Sequence, residues 1–350
     1  MKGVVLAGGK GTRLRPFTHS TAKQLVPVAN EPILFYGLRD LAAAGIEDVA
    51  LIVSPDTDAL FRESVGDGSE LGLAMEYIVQ QSPDGLAAAL ALALPWVGDD
   101  DCVMYLGDNM LKGGVSGVVL DFQEHRPNCQ ILLAEVGHPE QYGVAELADD
   151  GSIIRLVEKP KNPPSNLALV GVYLFDSTIA EAVAAIKPSA RGELEITDAI
   201  QYQVDAGRSV RASLVDGWWK DTGRKEDLLH ANQLVLDDLD GLIKGEVTGG
   251  EIRGQVTVGV GSRLVDCAVT GPVIIGAGCV IERTIIGPYT AIGDGCDLTD
   301  CSLEKSIVME RTSIRDWKIR EGLIGQDVVM RGPAPSTFVP VTLGENSEIG

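Results

Sequence analysis

A repeat of 17 residues begins near Val247, and it constrains the fold more than any other feature of the sequence. Three glycine pairs recur at this interval: Gly259 with Gly261, Gly276 with Gly278, and Gly293 with Gly295. Apolar residues recur in three columns: Val258, Ile275, Ile292 and Met309 form the first; Leu264, Ile281 and Leu298 the second; and Ile252, Val269, Ile286 and Leu303 the third. The columns are 5, 6 and 6 residues apart within one repeat. This spacing predicts a three-sided parallel β-coil with one inward residue per side. The repeat loosens after Met309, and a last partial coil is expected over residues 343–349.

The first 240 residues show a different pattern, in which strands alternate with helices. Strands are predicted at residues 4–7, 49–53, 75–80, 102–106, 131–136 and 170–175, and helices at 32–44, from about 57 and from 86. A hairpin is predicted over residues 142–159. Short connections between alternating strands and helices are typical of a parallel α/β sheet. Ligands of such sheets bind at the carboxyl ends of the strands, so the loops after residues 7, 80 and 107 are expected to converge.

A glycine-rich loop follows the first predicted strand. Gly8, Gly9 and Gly11 allow a sharp turn whose N–H groups can close around an anion. Residues 1–30 contain five Lys or Arg, Lys10 among them, and no Asp or Glu, whereas the whole chain has a formal net charge of −21. This local positive charge indicates a small, highly charged ligand such as a nucleoside triphosphate. A glycine turn with solvated charges is the alternative. The glycine spacing fits neither a dinucleotide fingerprint nor a Walker loop.

Two aspartates are candidate metal ligands. Asp108 follows a buried strand beside the glycine loop, where a carboxylate can share Mg²⁺ with phosphates. Asp221 follows Trp218 and Trp219, and these aromatic side chains could line a sugar site. Turn formation at residues 107–109 is the alternative role of Asp108.

A third candidate pair is Glu158 and Lys159 at the end of the predicted hairpin. A carboxylate and an ammonium group at a strand end could bind a sugar hydroxyl and a phosphate. An exposed ion pair worth about 0–1 kcal/mol is the alternative.

Composition excludes several function classes. The chain has 50 Asp and Glu against 29 Lys and Arg, which argues against nucleic acids and anionic membranes as partners. The apolar run at residues 86–94 is too short to span a bilayer. Met1 and Lys2 lead into the first strand, so no signal peptide is expected. The six cysteines lack a Cys-x-x-Cys pair and are expected to be reduced and buried, in a cytoplasmic protein.

Eight motifs together resemble the sugar-1-phosphate nucleotidylyltransferases, in particular the glucose-1-phosphate thymidylyltransferases. They occur in the order of that family: LAGGKGTRLRP at 6–16 with Lys23 and Gln24, QSPDGLA at 81–87, LGDN at 106–109, YGVAE at 142–146, VEKP at 157–160, GVYLF at 171–175, RGELEITD at 191–198 and WWKDTG at 218–223. The tail resembles the left-handed β-helix of hexapeptide-repeat proteins. The resemblance implies a Rossmann-like mixed sheet in a nucleotidylyltransferase domain at 1–240, followed by a left-handed parallel β-helix at 241–350.

The resemblance also implies roles for individual residues. The catalytic residues would be Arg13, Lys23, Asp108 and Asp221, with Asp108 and Asp221 holding Mg²⁺. The nucleotide would contact Leu6, Gly8, Gly9, Gly11, Thr12, Arg13, Gln24, Gln80, Pro83, Gly85 and Asp108. The sugar phosphate would contact Gly143, Glu158, Lys159, Tyr173 and Trp219.

The implied reaction is Mg²⁺-dependent transfer of dTMP from dTTP to α-D-glucose-1-phosphate, which gives dTDP-glucose and pyrophosphate for deoxysugar biosynthesis. The sugar phosphate is already largely dianionic, so no general base is required, and none of the motifs contains a histidine. The alternatives are a UTP-using enzyme, a non-catalytic regulatory subunit, and a bifunctional enzyme whose coil transfers acyl groups. All four histidines precede Val247, which argues against acyl transfer. A homo-oligomer, with a tetramer favoured, is expected.

Overall fold

The computed structural model describes residues 1–9, 11–19, 21–332 and 335–350. Contacts within the chain divide it into two units. The first unit comprises residues 1–9 and 34–221, and the second comprises residues 10–33 and 222–350. The division into functional domains at residue 240 stays a prediction.

The strands and helices predicted between Val4 and Phe175 are present, with ends shifted by at most three residues. The strands of this part are β1 (Lys2–Leu6), β2 (Pro27–Val28), β3 (Glu31–Pro32), β4 (Asp48–Val53), β5 (Ala74–Val79), β6 (Cys102–Leu106), β7 (Asn109–Leu111), β8 (Cys129–Glu135), β9 (Gly143–Leu147), β10 (Ile153–Glu158), β11 (Leu167–Phe175), β12 (Val210–Leu214) and β13 (Trp219–Asp221). The α-helices are α1 (Ile33–Ala43), α2 (Asp58–Val65), α3 (Leu86–Val97), α4 (Ser116–His125), α5 (Ile179–Ala185), α6 (Ile196–Asp205) and α7 (Lys225–Asp237). Single-turn 3₁₀ helices occur at Thr12–Leu14, Phe17–His19, Lys23–Leu25, Ser69–Leu71 and Pro139–Gln141.

The first unit is built on a nine-stranded mixed sheet with β1 near its centre. The order is β10-β9-β11-β6-β1-β4-β5, and β8 and β12 continue from β11. Parallel pairs join β1 to β4 and β6, whereas β11 runs antiparallel to β6. Val4 and Val5 are fully buried because both faces of β1 are covered. The carboxyl ends of β1, β4, β5 and β6 therefore lie at one edge of the sheet, as predicted.

The second unit contains the predicted left-handed parallel β-helix, formed by three sheets. Sheet one comprises β14 (Glu246–Thr248), β17 (Arg263–Val265), β20 (Val280–Glu282), β23 (Asp297–Thr299), β26 (Ser313–Arg315), β29 (Val329–Met330) and β31 (Glu348–Ile349). Sheet two comprises β15 (Glu251–Arg253), β18 (Ala268–Thr270), β21 (Ile285–Ile286), β24 (Ser302–Glu304) and β27 (Lys318–Arg320). Sheet three comprises β16 (Val256–Val258), β19 (Val273–Ile275), β22 (Thr290–Ile292), β25 (Ile307–Val308), β28 (Leu323–Ile324) and β30 (Thr342–Leu343).

The predicted columns stack in register, with one correction. Val258, Ile275 and Ile292 are partners across β16, β19 and β22, but the next partner is Val308, so the placement of Met309 in this column was wrong. The reason is that the coil shortens from 17 to 16 residues after Ile292. Pairing then continues through β30 and β31, which confirms the last partial coil.

The interiors of both units are apolar. All six cysteines are buried and unpaired, as predicted. Among the helices of the described residues, none has the length and apolar character needed to cross a membrane.

Candidate active site

The end of β1 brings the first glycines of the loop close to Gln80. The amide of Ala7 donates to the carbonyl of Ile52 at 2.8 Å, and the amide of Gln80 donates to Val53 at the same distance. A Cβ atom at Gly8 would lie 3.3 Å from Oε1 of Gln80, so a side chain at this position would crowd the glutamine. Leu6 is buried beneath this edge. The structure therefore brings together Leu6, Gly8 and Gln80, three residues predicted to contact a nucleotide.

Gly85 fixes the loop that follows β5. Its φ is 109°, and a Cβ atom would lie 2.4 Å from the carbonyl oxygen of Leu194. The amide of Ala87 donates to that oxygen at 3.0 Å, and the amide of Leu194 donates to Asp84 at 2.7 Å. Only glycine fits this conformation and this approach. Pro83 lies exposed in the same loop.

The two predicted metal ligands lie on neighbouring elements of the first unit. Asp221 ends β13 and is the antiparallel partner of Asn109, which begins β7 directly after Asp108. Nδ2 of Asn109 donates to Oδ1 of Asp108 at 3.0 Å. The amide of Gly107 donates to Leu6 at 2.9 Å, which holds this loop against β1. Asp108 and Asp221 are thus brought together although 113 positions separate them in the sequence.

Asn109 organises this region, although its sequence context predicts only a turn. The side chain is 2% exposed, and its Oδ1 accepts hydrogen bonds from Nε1 of Trp219 at 2.6 Å and from the amide of Gly171 at 3.1 Å. A Cβ atom at Gly171 would lie 2.6 Å from that oxygen. The LGDN motif contained the available signal, but the partners of Asn109 come from distant strands.

The carboxylate oxygens of Asp108 and Asp221 are suitable ligands for a hard divalent cation. Two carboxylates from the protein, completed by phosphate oxygens, are a typical ligand set for Mg²⁺. A group of three or more His, Cys, Asp or Glu arranged to hold a metal is absent from the described residues.

The predicted sugar-phosphate residues gather at the end of the β9–β10 hairpin. Glu158 pairs with Gly143, where a Cβ atom would lie 3.1 Å from Oε2 of Glu158. Lys159 Nζ lies 3.4 Å from Oε1 of Glu158. Lys159 has a φ of 41°, a left-handed conformation that is costly for a lysine and recurs at functional sites.

The RGELEITD motif at 191–198, which had no assigned role, contributes further side chains around Glu158. Arg191 Nη1 lies 3.2 Å from Oε1 of Glu158 and 3.5 Å from Oε1 of Glu195. Thr197 donates to Oε2 of Glu158 at 3.4 Å. Burial raises the pKa of Glu195, and burial followed by the charge of Glu158 raises the pKa of Asp198. Arg191 and Thr197 are therefore additional candidate residues of the sugar-phosphate site.

Aromatic side chains lie on both sides of the hairpin end. The rings of Trp219 and Tyr142 meet edge to face, with centroids 5.3 Å apart. Tyr142 directly precedes Gly143, so Trp219 lies beside the predicted sugar site. Tyr173 is 4% exposed and stacks with Phe175, and burial raises its pKa.

The remaining predicted residues, apart from Gly9, belong to the second unit. Gly11 has a φ of 58°, and a Cβ atom there would lie 3.1 Å from Cγ2 of Thr18 and 3.3 Å from Cβ of Lys23. Thr18 Oγ1 donates to the carbonyl of Gly11 at 2.7 Å. Gly11 and Lys23 are thus adjacent although twelve positions separate them. Gly9 ends the first stretch of the first unit, and Lys10 lies outside the described residues.

Arg13 and Gln24 have opposite environments. Thr12 and Arg13 are exposed on a 3₁₀ turn. Gln24 is 2% exposed, and within the described part of the chain its Oε1 has no hydrogen-bond partner. An exposed guanidinium can reach a ligand directly, whereas the buried carboxamide of Gln24 would need a rearrangement to do so.

Comparison with known proteins decides the family. The sequence pattern of the family described as Nucleotidyl transferase matches residues 2–238, more than half of the chain. The chain belongs to this family. The resemblance drawn from the eight motifs is therefore confirmed.

Relatives within the nucleotidyl transferase family extend over the whole chain. The chain is 49% identical to a glucose-1-phosphate thymidylyltransferase of Streptomyces antibioticus, covering 100% of this chain and 99% of that protein. It is 47% identical to a protein of the same name from Streptomyces griseus, covering 99% and 98%. A Bacillus anthracis crystal structure, described as a candidate glucose-1-phosphate thymidylyltransferase in complex with sucrose, is 38% identical with a TM-score of 0.64, covering 67% of this chain and 94% of that one.

Proposed function

We propose that the chain is a glucose-1-phosphate thymidylyltransferase, which transfers dTMP from dTTP to α-D-glucose-1-phosphate and releases pyrophosphate. The observation that carries this proposal is the pairing of Asp221 with Asn109 directly beside Asp108. Asp108 follows β6 and Asp221 is close to it through this pairing, which supports a shared ligand site because parallel sheets bind ligands at the carboxyl ends of their strands. The relatives with this name that match the chain over its whole length support the same reaction.

We assign the nucleotide to the loops after β1 and β5. Gly8 and Gln80 approach each other closely, and Gly85 fixes the second loop against Leu194. In this proposal the glycine loop binds the triphosphate and Gln80 contacts the base. Arg13 and Lys23 supply positive charge for the departing pyrophosphate, where such charge stabilises the transition state.

We assign the sugar phosphate to the end of the β9–β10 hairpin. Glu158 is oriented by Arg191 and Thr197, and it offers carboxylate oxygens to sugar hydroxyls. Lys159 supplies a cation for the phosphate, and Trp219 borders the sugar through its contact with Tyr142. The exposed charge of Lys159 suits a dianionic substrate that is already a nucleophile and needs no proton removed.

Asp108 and Asp221 would hold Mg²⁺, and Asn109 would orient Asp108 for this role. When bound, the ion supplies charge neutralisation at the phosphates. In this proposal the pairing of β7 with β13 would keep the two aspartates close to each other.

UTP is the competing nucleotide, because uracil differs from thymine only by the absence of one methyl group and offers Gln80 the same hydrogen-bonding atoms. Pyrophosphate release should be measured with dTTP, UTP, ATP and GTP, each with glucose-1-phosphate and Mg²⁺. We expect the highest kcat/KM with dTTP. A preference for UTP would retain the chemistry and change the named substrate, whereas a folded protein that releases pyrophosphate with none of them would support the regulatory-subunit alternative.

We further propose that the enzyme works in the cytoplasm as a homo-oligomer, with a tetramer favoured. Light scattering of the intact chain tests the assembly. A monomer at micromolar concentration would contradict it.

A further inference from the structure

The segment that carries Arg13 and Lys23 is part of the same unit as the β-helix, and it contacts one face of it. Residues 11–32, here called the signature segment, end in the β2–β3 hairpin, in which Pro27 pairs with Pro32 and Val28 with Glu31. The two residues at its tip, Ala29 and Asn30, have φ values of 48° and 64°. Consecutive left-handed residues form the tight hairpin turn that prefers Asn-Gly. An alanine in this conformation costs about 1–2 kcal/mol, so neighbouring contacts must hold the turn.

Asn232 supplies one of these contacts. It lies on α7 and is completely buried. Its Oδ1 accepts the amide hydrogen of Ala29 at 2.9 Å, and its Nδ2 donates to the carbonyl of Tyr289 at 3.1 Å. Tyr289 directly precedes β22 of sheet three. One carboxamide therefore joins the tip of the hairpin to the β-helix and uses both of its polar ends to do so.

Asn30 supplies a second contact to the same sheet. Its Nδ2 donates to the carbonyl of Ile292, at the end of β22, at 2.7 Å. Asn30 thus has two functions, because asparagine tolerates the left-handed conformation and its side chain reaches the coil.

A third contact lies at the other end of the segment. A Cβ atom at Gly344, directly after β30 of sheet three, would lie only 3.1 Å from the carbonyl oxygen of Pro16. Lys225 of α7 donates to the carbonyl of Val341 at 3.0 Å and to Oγ1 of Thr342 at 2.8 Å. Desolvation lowers the pKa of Lys225. Both ends of the signature segment, and the helix that supports it, are therefore attached to sheet three.

We propose that sheet three of the β-helix is the platform that positions Arg13 and Lys23, with Asn232 and Asn30 as positioning residues. Between the attachments, Lys23 is connected to the hairpin through the hydrogen bond from the Val26 amide to its carbonyl at 3.2 Å. The β-helix is a rigid stack of coils, so it is suited to hold the cationic side chains of Arg13 and Lys23 in a fixed position. This inference rests on the proposed function, which gives Arg13 and Lys23 their role at the triphosphate.

Asn232→Ala and Asn30→Gly test the platform. Asn232→Ala removes the shared carboxamide. Asn30→Gly removes only the bond to Ile292, because glycine adopts a φ of 64° without strain. Ser262→Ala is the matched control: Ser262 is buried in the β-helix and its hydroxyl makes two hydrogen bonds, to Gly276 and from Cys279, neither of which involves a residue of the signature segment.

Hydrogen exchange of the intact chain without substrates gives the first measurement. We expect amides of residues 21–33 to exchange about 10-fold faster in both test variants, while peptides from α3 keep their rates. Ser262→Ala should lower the melting temperature and leave exchange at 21–33 unchanged. Unchanged exchange at 21–33 in Asn30→Gly and Asn232→Ala, or an equal effect of Ser262→Ala, would overturn the inference.

Steady-state kinetics give the second measurement. We expect kcat to fall about 10-fold in both test variants, with the KM for glucose-1-phosphate unchanged, because only the triphosphate side is displaced. Equal loss with the control variant would show a purely structural role and overturn the inference. If the unsubstituted protein turned over no triphosphate, the proposed function would fail, whereas the exchange experiment would still decide whether sheet three holds the signature segment.

Discussion

Asp221 and Asn109 face each other across the antiparallel pair of β13 and β7, and Asn109 donates a hydrogen bond to Asp108 at 3.0 Å. This relationship keeps Asp108 and Asp221, the two aspartates on which the proposed chemistry depends, close together in the fold.

Asp108→Asn and Asp221→Asn should each lower kcat by roughly 10²-fold or more, the scale of losing one preorganised electrostatic contact in an active site. Pyrophosphate release under saturating substrates measures the effect, and circular dichroism checks the fold. Near-normal turnover in a folded variant would remove that aspartate from the site.

Asn109→Ala should destabilise the first unit as well as inactivate it. The substitution leaves the buried amide of Gly171 and the half-buried indole N–H of Trp219 without their acceptor, and an unsatisfied buried donor costs about 1–3 kcal/mol. Urea unfolding measures the sum. Trp219→Phe is the control, since it removes one donor and leaves Asn109 bound to Gly171, and it should cost less. Equal stability of Asn109→Ala and the unsubstituted protein would refute this role.

Arg13→Ala should reduce kcat more than it raises the KM for dTTP. The exposed guanidinium is assigned to the charge that develops on the departing pyrophosphate, and a contact made equally in the ground state would change KM alone. Initial rates over a range of dTTP concentrations separate these cases. An unchanged kcat with weaker dTTP binding would contradict the assignment.

The pH dependence of stability should contain a contribution from Asp40. Burial raises the pKa of this carboxyl from 3.8 to about 6, although the hydroxyl of Tyr105 donates to it at 3.1 Å. Between these pH values the folded state keeps a proton that the unfolded state has released, so the free energy of unfolding falls as the pH rises through this window.

Asp40→Asn should therefore be more stable than the unsubstituted protein at pH 7.5, by about 1–3 kcal/mol, because asparagine remains neutral and can still accept from Tyr105. The difference should disappear near about pH 3, well below both pKa values, where Asp40 is protonated in both states. Urea unfolding at about pH 3 and pH 7.5 provides the measurement. An equal difference at both pH values would indicate a cause other than titration.

The sequence was sufficient to predict features that depend on local periodicity. Columns such as Leu264, Ile281 and Leu298 follow from the repeat, and the convergence of Gly8 with Gln80 follows from parallel strand order. Met309 was misplaced because one deleted residue shifts a column by a position, and the remaining pattern did not reveal where the coil shortens.

Long-range partners were beyond prediction from the sequence. Asn109 acts through Gly171 and Trp219, 62 and 110 positions away, and no local pattern specifies such partners. The same holds for Asn232, whose carboxamide joins Ala29 to Tyr289. Arg191 and Thr197 belong to a motif that is recognisable in the sequence. Their contacts with Glu158 could not be predicted, because the position of Glu158 depends on the register of the β9–β10 hairpin.

The central claim is the transfer of a nucleotidyl group to a sugar phosphate, and product analysis tests it most directly. Purified protein is incubated with dTTP, α-D-glucose-1-phosphate and Mg²⁺, and the products are identified by ³¹P NMR and mass spectrometry. We predict dTDP-glucose and pyrophosphate in equal amounts, with both formed roughly 10²-fold more slowly by Asp108→Asn. Release of pyrophosphate without dTDP-glucose, or no product from dTTP or UTP by the folded protein, would contradict the account.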